Sequence, residues 1–221
     1  MREGRFVWVA VYALAMAYVE AAVVVYLRRV FGVVDLVRDT AIYDPRIAAI
    51  EIGREAATLL MLLAVGFLAG RSRQGRLGLA LYAFGVWDIL YYVWLKLLIG
   101  WPESLLTQDV LFLIPLPWWG PVLAPVLVAL LLVGLGGILV VRDDQGRTVR
   151  LGGLGWGFLL AGVLLVLYAF MADALGILPA GAEVLSRLKP GPFRWSVYLA
   201  GLGAMSISVW RAAHDRTRTD S

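Results

Sequence analysis

The stretch that decides how the chain folds is IEIGREAATLLMLLAVGFLAG, residues 50–70. From Thr58 to Gly70 it carries no charge, but its head holds Glu51, Arg54 and Glu55 within five residues. An apolar run of about 20 residues is long enough to cross about 30 Å of hydrocarbon as a helix. Read with Ile47 to Glu51, this run is long enough to do so, and it carries two acids and a guanidinium into the first two turns.

Runs of the same kind recur at residues 6–28, 77–99, 120–141, 153–175 and 195–211, giving six with 47–69. Composition agrees: 61% of the 221 residues are hydrophobic and 16% charged, with a mean hydropathy of +0.81. A soluble domain has about 45–50% apolar and about 25% charged residues. The runs do not alternate as barrel strands would. The expected fold is all-α, a polytopic bundle of six membrane-spanning helices forming one domain over residues 1–211, with a polar tail at 212–221. The first run has a basic start but an apolar part over 20 residues long and no small-residue cleavage site, so it reads as a retained span.

Basic residues orient the bundle. With the N-terminus inside, the inner segments hold eleven Arg and the outer segments seven Arg or Lys. The turn GRSRQGR (70–76) has three arginines and no acid, while residues 100–119 carry only acids. The positive-inside rule then gives N-in and C-in, as in a multi-pass protein of a cell (inner) membrane. The formal charge of +4 reflects arginines facing anionic lipid and calls for no nucleic acid.

Orientation gives the charges a depth. Glu51, Arg54, Glu55 and Thr58 share one face of span 2, in its outer half. Asp88, Tyr91, Tyr92 and Lys96 share a face of span 3, and Glu20 lies two turns from the outer end of span 1. Glu20 shares its stripe with Ala13, Met16 and Ala17, which let a neighbouring helix approach. Each intramembrane charge costs about 2.5–3.5 kcal/mol on the lenient scale, so four acids and an arginine are expected to converge. The expected site is one polar chamber lined by Glu20, Glu51, Arg54, Glu55, Asp88, Tyr91 and Tyr92. Lys96, one turn further out, is placed at the interface. One Glu–Arg pair serving as structural glue explains part of this set but not four acids.

Cysteine is absent and the one histidine, His214, lies in the tail, so neither a His/Cys zinc site nor haem is expected. A metal held by Glu20, Glu51, Glu55 and Asp88 would be a hard ion such as Mg²⁺, Ca²⁺ or Mn²⁺. Without metal, the same four carboxyl groups supply acid and base, with Trp87, Tyr91, Tyr92 and Trp94 offering aromatic faces to a developing cation. Arg54, Tyr91, Tyr92 and Asp109 are the expected substrate contacts, and a lipid or other amphipathic molecule is the expected partner. A proton- or cation-coupled transporter or channel is the first alternative, and a subunit of a membrane complex the second. An outer-half site without an inverted repeat weighs against transport.

Two further features stand out. In GWPESLLTQDVLFLIPLPWWGPVLAP (100–125), the prolines rule out one continuous helix. SLLTQDVLFLI is expected as a short interfacial helix capped by Ser104, a lid with Asp109 reaching in. Trp101, Trp118 and Trp119 are expected in the headgroup belt, and the first outer loop is expected to form a comparable segment. Glycines of spans 4–6, including Gly153, Gly157, Gly201 and Gly203, are expected at close helix contacts or at a homo-oligomer face.

Overall fold

The computed structural model describes residues 2–32 and 45–214. Seven helices are formed among them: α1 (Arg2–Phe31), α2 (Pro45–Ala69), α3 (Arg73–Ile99), α4 (Leu123–Asp144), α5 (Gly153–Leu175), α6 (Ala182–Ser186) and α7 (Trp195–His214). A two-stranded hairpin of β1 (Gln108–Val110) and β2 (Trp119–Pro121) separates α3 from α4. The expected segment in the first outer loop lies largely outside the described residues, as does the tail beyond His214.

Helices α1 to α5 are each long and apolar enough to cross a membrane. Large apolar side chains stand exposed on their surfaces, Leu68 at 88% and Val30 at 76%; such a surface suits lipid rather than water. Helix α7 is diluted by Ser196, Tyr198, Ser206, Ser208 and Trp210 and does not join those five. The chain is therefore an all-helical protein of multi-pass membrane character with five clear candidate spans.

Helix α3 is the centre of the bundle, packing against α1, α2 and α4, while α4 links it to the α5–α7 pair. Its start is capped by the Ser72 hydroxyl, which accepts from the Gly75 amide at 2.9 Å. Its end is Gly100 at φ 73°, a conformation that suits a residue without Cβ, with its amide donating to Lys96 O at 3.0 Å. Lys96 Nζ donates to the carbonyls of Gly100 and Pro102, so it closes this helix end and does not face the chamber.

Small residues set the helix spacing. A Cβ on Gly136 would sit 2.5 Å from the Gly78 carbonyl oxygen, and one on Gly162 2.7 Å from that of Gly201. Gly201 thus packs as expected. A Cβ on Gly153, Gly157 or Gly203 would meet nothing within 4 Å among the described residues, so these glycines do not sit at close helix contacts there. Two buried cores result. One holds Val9, Ala13, Ala17, Leu62, Leu79, Ala83, Trp87 and Val140, and the other Ala124, Val166, Ala169, Phe170, Tyr198 and Met205.

The end of the bundle with the α2–α3 and α4–α5 turns is tied by polar contacts. Arg5 pairs with Asp144 and Ser72 with Asp143. Gln74 donates to the carbonyls of Leu139 and Arg147 and accepts from the Val149 amide at 2.8 Å. The two arginine-bearing turns therefore bind each other.

The segment 104–114 corrects the sequence expectation: a turn at 104–107 leads into a hairpin arm at 107–112, and no interfacial helix forms there. The pairing is antiparallel, with Asp109 opposite Gly120. It extends through Leu111 N to Trp118 O at 2.9 Å, Trp118 N to Phe112 O at 2.8 Å and Val122 N to Thr107 O at 3.0 Å. Pro115 and Pro117, which lack an N–H, fall in the tip between the arms, where no ladder bond is needed. Ser104 accepts from the Leu106 amide in the preceding turn and caps no helix. Gly120 and Pro121, expected in span 4, belong to the second arm, and α4 begins at Leu123.

Candidate functional site

The polar head of α2 meets α1, α3 and the hairpin around one cavity of about 360 Å³. Glu20, Glu51, Arg54, Glu55, Asp88, Tyr91, Tyr92 and Asp109 all line it. Three helices and one strand thus bring together the eight residues singled out from the sequence. Trp94 lies elsewhere, its indole N–H donating to Leu14 O and its ring edge-on to Tyr18.

The spacing on α2 works as helical geometry requires. Arg54 donates from Nε to Glu51 Oε2 at 2.8 Å, one turn back, and pairs with Glu20 across the α1–α2 contact. Thr58 donates to Glu20 Oε2 at 3.1 Å, which fixes that carboxylate further. Glu55 turns the other way. It accepts from the Leu113 amide at 2.9 and 3.1 Å, tying α2 to the hairpin tip.

Asp109 is 2% exposed and accepts from the Tyr92 hydroxyl at 3.1 Å. Arg28 stands 3.9 Å from its second oxygen and 4.0 Å over the Trp101 ring. Burial pushes the Asp109 carboxyl up to about 6, while Arg28 and the Tyr92 hydroxyl pull it back toward the charged form. Asp88 is 8% exposed, lines the cavity, and has no hydrogen-bond or ion-pair partner among the described residues.

Aromatic rings run as a chain along the apolar side. Tyr91 stacks on Trp87, Trp87 meets Phe84, Phe84 stacks on Phe112, Phe112 meets Trp118 edge-on, and Trp118 stacks on Phe170. Trp118, stacked on Phe170, and Trp119, 7% exposed, are turned into the protein. Gly120 is what lets Phe170 close on the hairpin, since a Cβ there would lie 2.9 Å from the ring.

The four-carboxylate metal set expected from Glu20, Glu51, Glu55 and Asp88 is not formed. Among the described residues no group of three or more acids comes close enough to hold an ion. The physical reason is Arg54, which engages both Glu20 and Glu51, together with the turn of Glu55 toward a backbone amide.

Sequence reasoning missed Arg28, Leu113, Phe112, Trp118 and Phe170 as parts of this site. Arg28 reads from sequence as one of several basic residues flanking a span, and no local pattern marks it as reaching Asp109. The others depend on the hairpin, a long-range pairing with no helical period behind it. The chain matches no protein-family model, no curated protein and no solved structure.

Proposed function

We propose that the chain is a six-span protein of a bacterial-type inner membrane, both termini cytoplasmic, whose cavity lies in the outer half of the bilayer and binds a lipid or other amphipathic molecule. In this reading α7 is the sixth span, lying along α5 with Tyr198 and Met205 buried between them. The observation that carries the proposal is the two-sided lining of one cavity. Five carboxyl groups and two guanidinium groups face it together with Val24, Leu27, Phe112, Val128 and Phe170. Sites for such ligands are concave, largely apolar and carry a few convergent polar groups.

Within the site Glu20 and Glu51 hold Arg54, and Arg54 orients the acids around the ligand's polar end. Glu55 and Asp88, which form no ion pair with either arginine, are the acid and base for any reaction performed there. The test is tryptophan quenching in nanodiscs by an amphiphile with a brominated tail. Saturable quenching that shrinks in Trp118→Phe supports the site. Quenching that only grows with bilayer loading, the same in both proteins, contradicts it.

A second reading, proton- or cation-coupled transport, is favoured by one observation, the buried Asp88 without a hydrogen-bond or ion-pair partner among the described residues. Its test is flux into proteoliposomes that disappears in Asp88→Asn.

A further inference from the structure

We propose that the cavity selects a cationic amphiphile, an amine or quaternary ammonium head on an apolar tail; this rests on the amphiphile-binding reading above. The charges of the described lining do not balance. Five carboxyl groups face two guanidinium groups, a formal charge of −3 with every group ionised.

Both arginines stand against carboxyl groups. Arg54 is held by Glu20 and Glu51, and Arg28 lies against Asp109 with its face on the Trp101 ring. Arg28 Nε and Nη2 make no hydrogen bond among the described residues, but an anionic head that reached them would meet Asp109, 3.9 Å from Nη2, and the other carboxyl groups of the lining. Setting Arg54 against Glu20 and Glu51, and Arg28 against Asp109, leaves one negative charge on the Arg54 group and one each on Glu55 and Asp88. Asp88 is more than nine-tenths buried, lines the cavity and is unpartnered among the described residues, so a polar group that burial makes costly faces the space a ligand would enter.

The neighbouring wall suits the same charge. Trp87 and Tyr91 stack with ring centroids 6.3 Å apart, and Phe112 meets Trp118 at 5.3 Å, all four lining the cavity. Aromatic faces attract a desolvated cation and repel an anion, and tryptophan does so best. Acid and aromatic faces therefore favour the same class of head.

The experiment compares decyltrimethylammonium, decyl sulfate and decanol by calorimetric titration of nanodisc-embedded protein against empty nanodiscs. The expected result is saturable binding of the ammonium, at least about tenfold tighter than decanol, with decyl sulfate weaker than either. Asp88→Asn, which keeps the side-chain shape, is expected to weaken the ammonium about tenfold and to narrow its margin over decanol. Decanol or decyl sulfate binding as tightly as the ammonium would overturn the charge selection while leaving an amphiphile site in place. Such a result would mean that the acids carry protons and act as hydrogen-bond donors. Saturable binding of none of the three would overturn the amphiphile reading itself.

Discussion

Replacing Arg54 with glutamine leaves Glu20 and Glu51 facing each other without the cation between them. The side chains of Arg54, Glu20 and Glu51 are 22%, 10% and 15% exposed, so little solvent screening is available to take over. Removing one partner of a buried ion pair costs about 3–5 kcal/mol, mostly from the charge left behind. With two acids stranded and one of them still accepting from Thr58, about 3 kcal/mol is the expected loss for Arg54→Gln. The double variant Glu20→Gln with Arg54→Gln removes one stranded charge, so its loss should fall short of the sum of the single losses by about 1–3 kcal/mol. The assay is reversible unfolding in mixed micelles titrated with a denaturing detergent, run as a double-mutant cycle. A loss under about 0.5 kcal/mol for Arg54→Gln, or strict additivity in the double variant, would refute the reasoning, because surface pairs behave that way.

Further outcomes follow from other contacts. Gly136→Val drives a side chain into the Gly78 carbonyl and should destabilise by about 1–3 kcal/mol in the same assay, whereas Gly157→Ala, with open space around it, should be neutral or gain up to about 1 kcal/mol. Gly120→Ala puts a methyl group against Phe170 and should loosen the hairpin, seen as faster amide exchange at Leu111 and Trp118 without loss of helix signal. Asp109 ordinarily titrates at 3.8 and is raised to about 6 here, so the fold favours its neutral form. Its contribution to stability is full below 3.8 and lost as pH rises through about 6. Stability of the wild type relative to Asp109→Asn should therefore fall across that window and level off above it.

How much of this could be read in the chain depends on the range of the interaction. The faces of Glu51–Arg54–Glu55–Thr58 and Asp88–Tyr91–Tyr92 are set by 3.6-residue periodicity, and both turn to the same cavity. The stripe Ala13–Ala17 under Glu20 marks the α1–α3 contact for the same reason, since small residues let backbones approach. What local pattern does not carry is pairing across distance. An apolar segment of 104–114 fits an interfacial helix as well as a strand, and only the prolines in its tip and the partner at 118–122 decide for the hairpin. The same holds for Arg28 with Asp109, which are 81 positions apart. The arginine-rich turns of α2–α3 and α4–α5 look alike in sequence, yet it is Gln74 and Ser72, not the arginines, that link them. Lys96 shares the Asp88 face by count, but the carbonyls of Gly100 and Pro102 lie nearer.

The central claim is that these groups enclose one space and that an amphiphile occupies it, and filling that space tests it most directly. Val128 lines the cavity from α4, and Val128→Trp adds bulk there without removing a charge. The measurement is native mass spectrometry of protein released from nanodiscs loaded with decyltrimethylammonium. The account predicts one retained amphiphile per wild-type chain and none on Val128→Trp, with both proteins unfolding at the same detergent concentration. Equal retention by a stably folded Val128→Trp would contradict it.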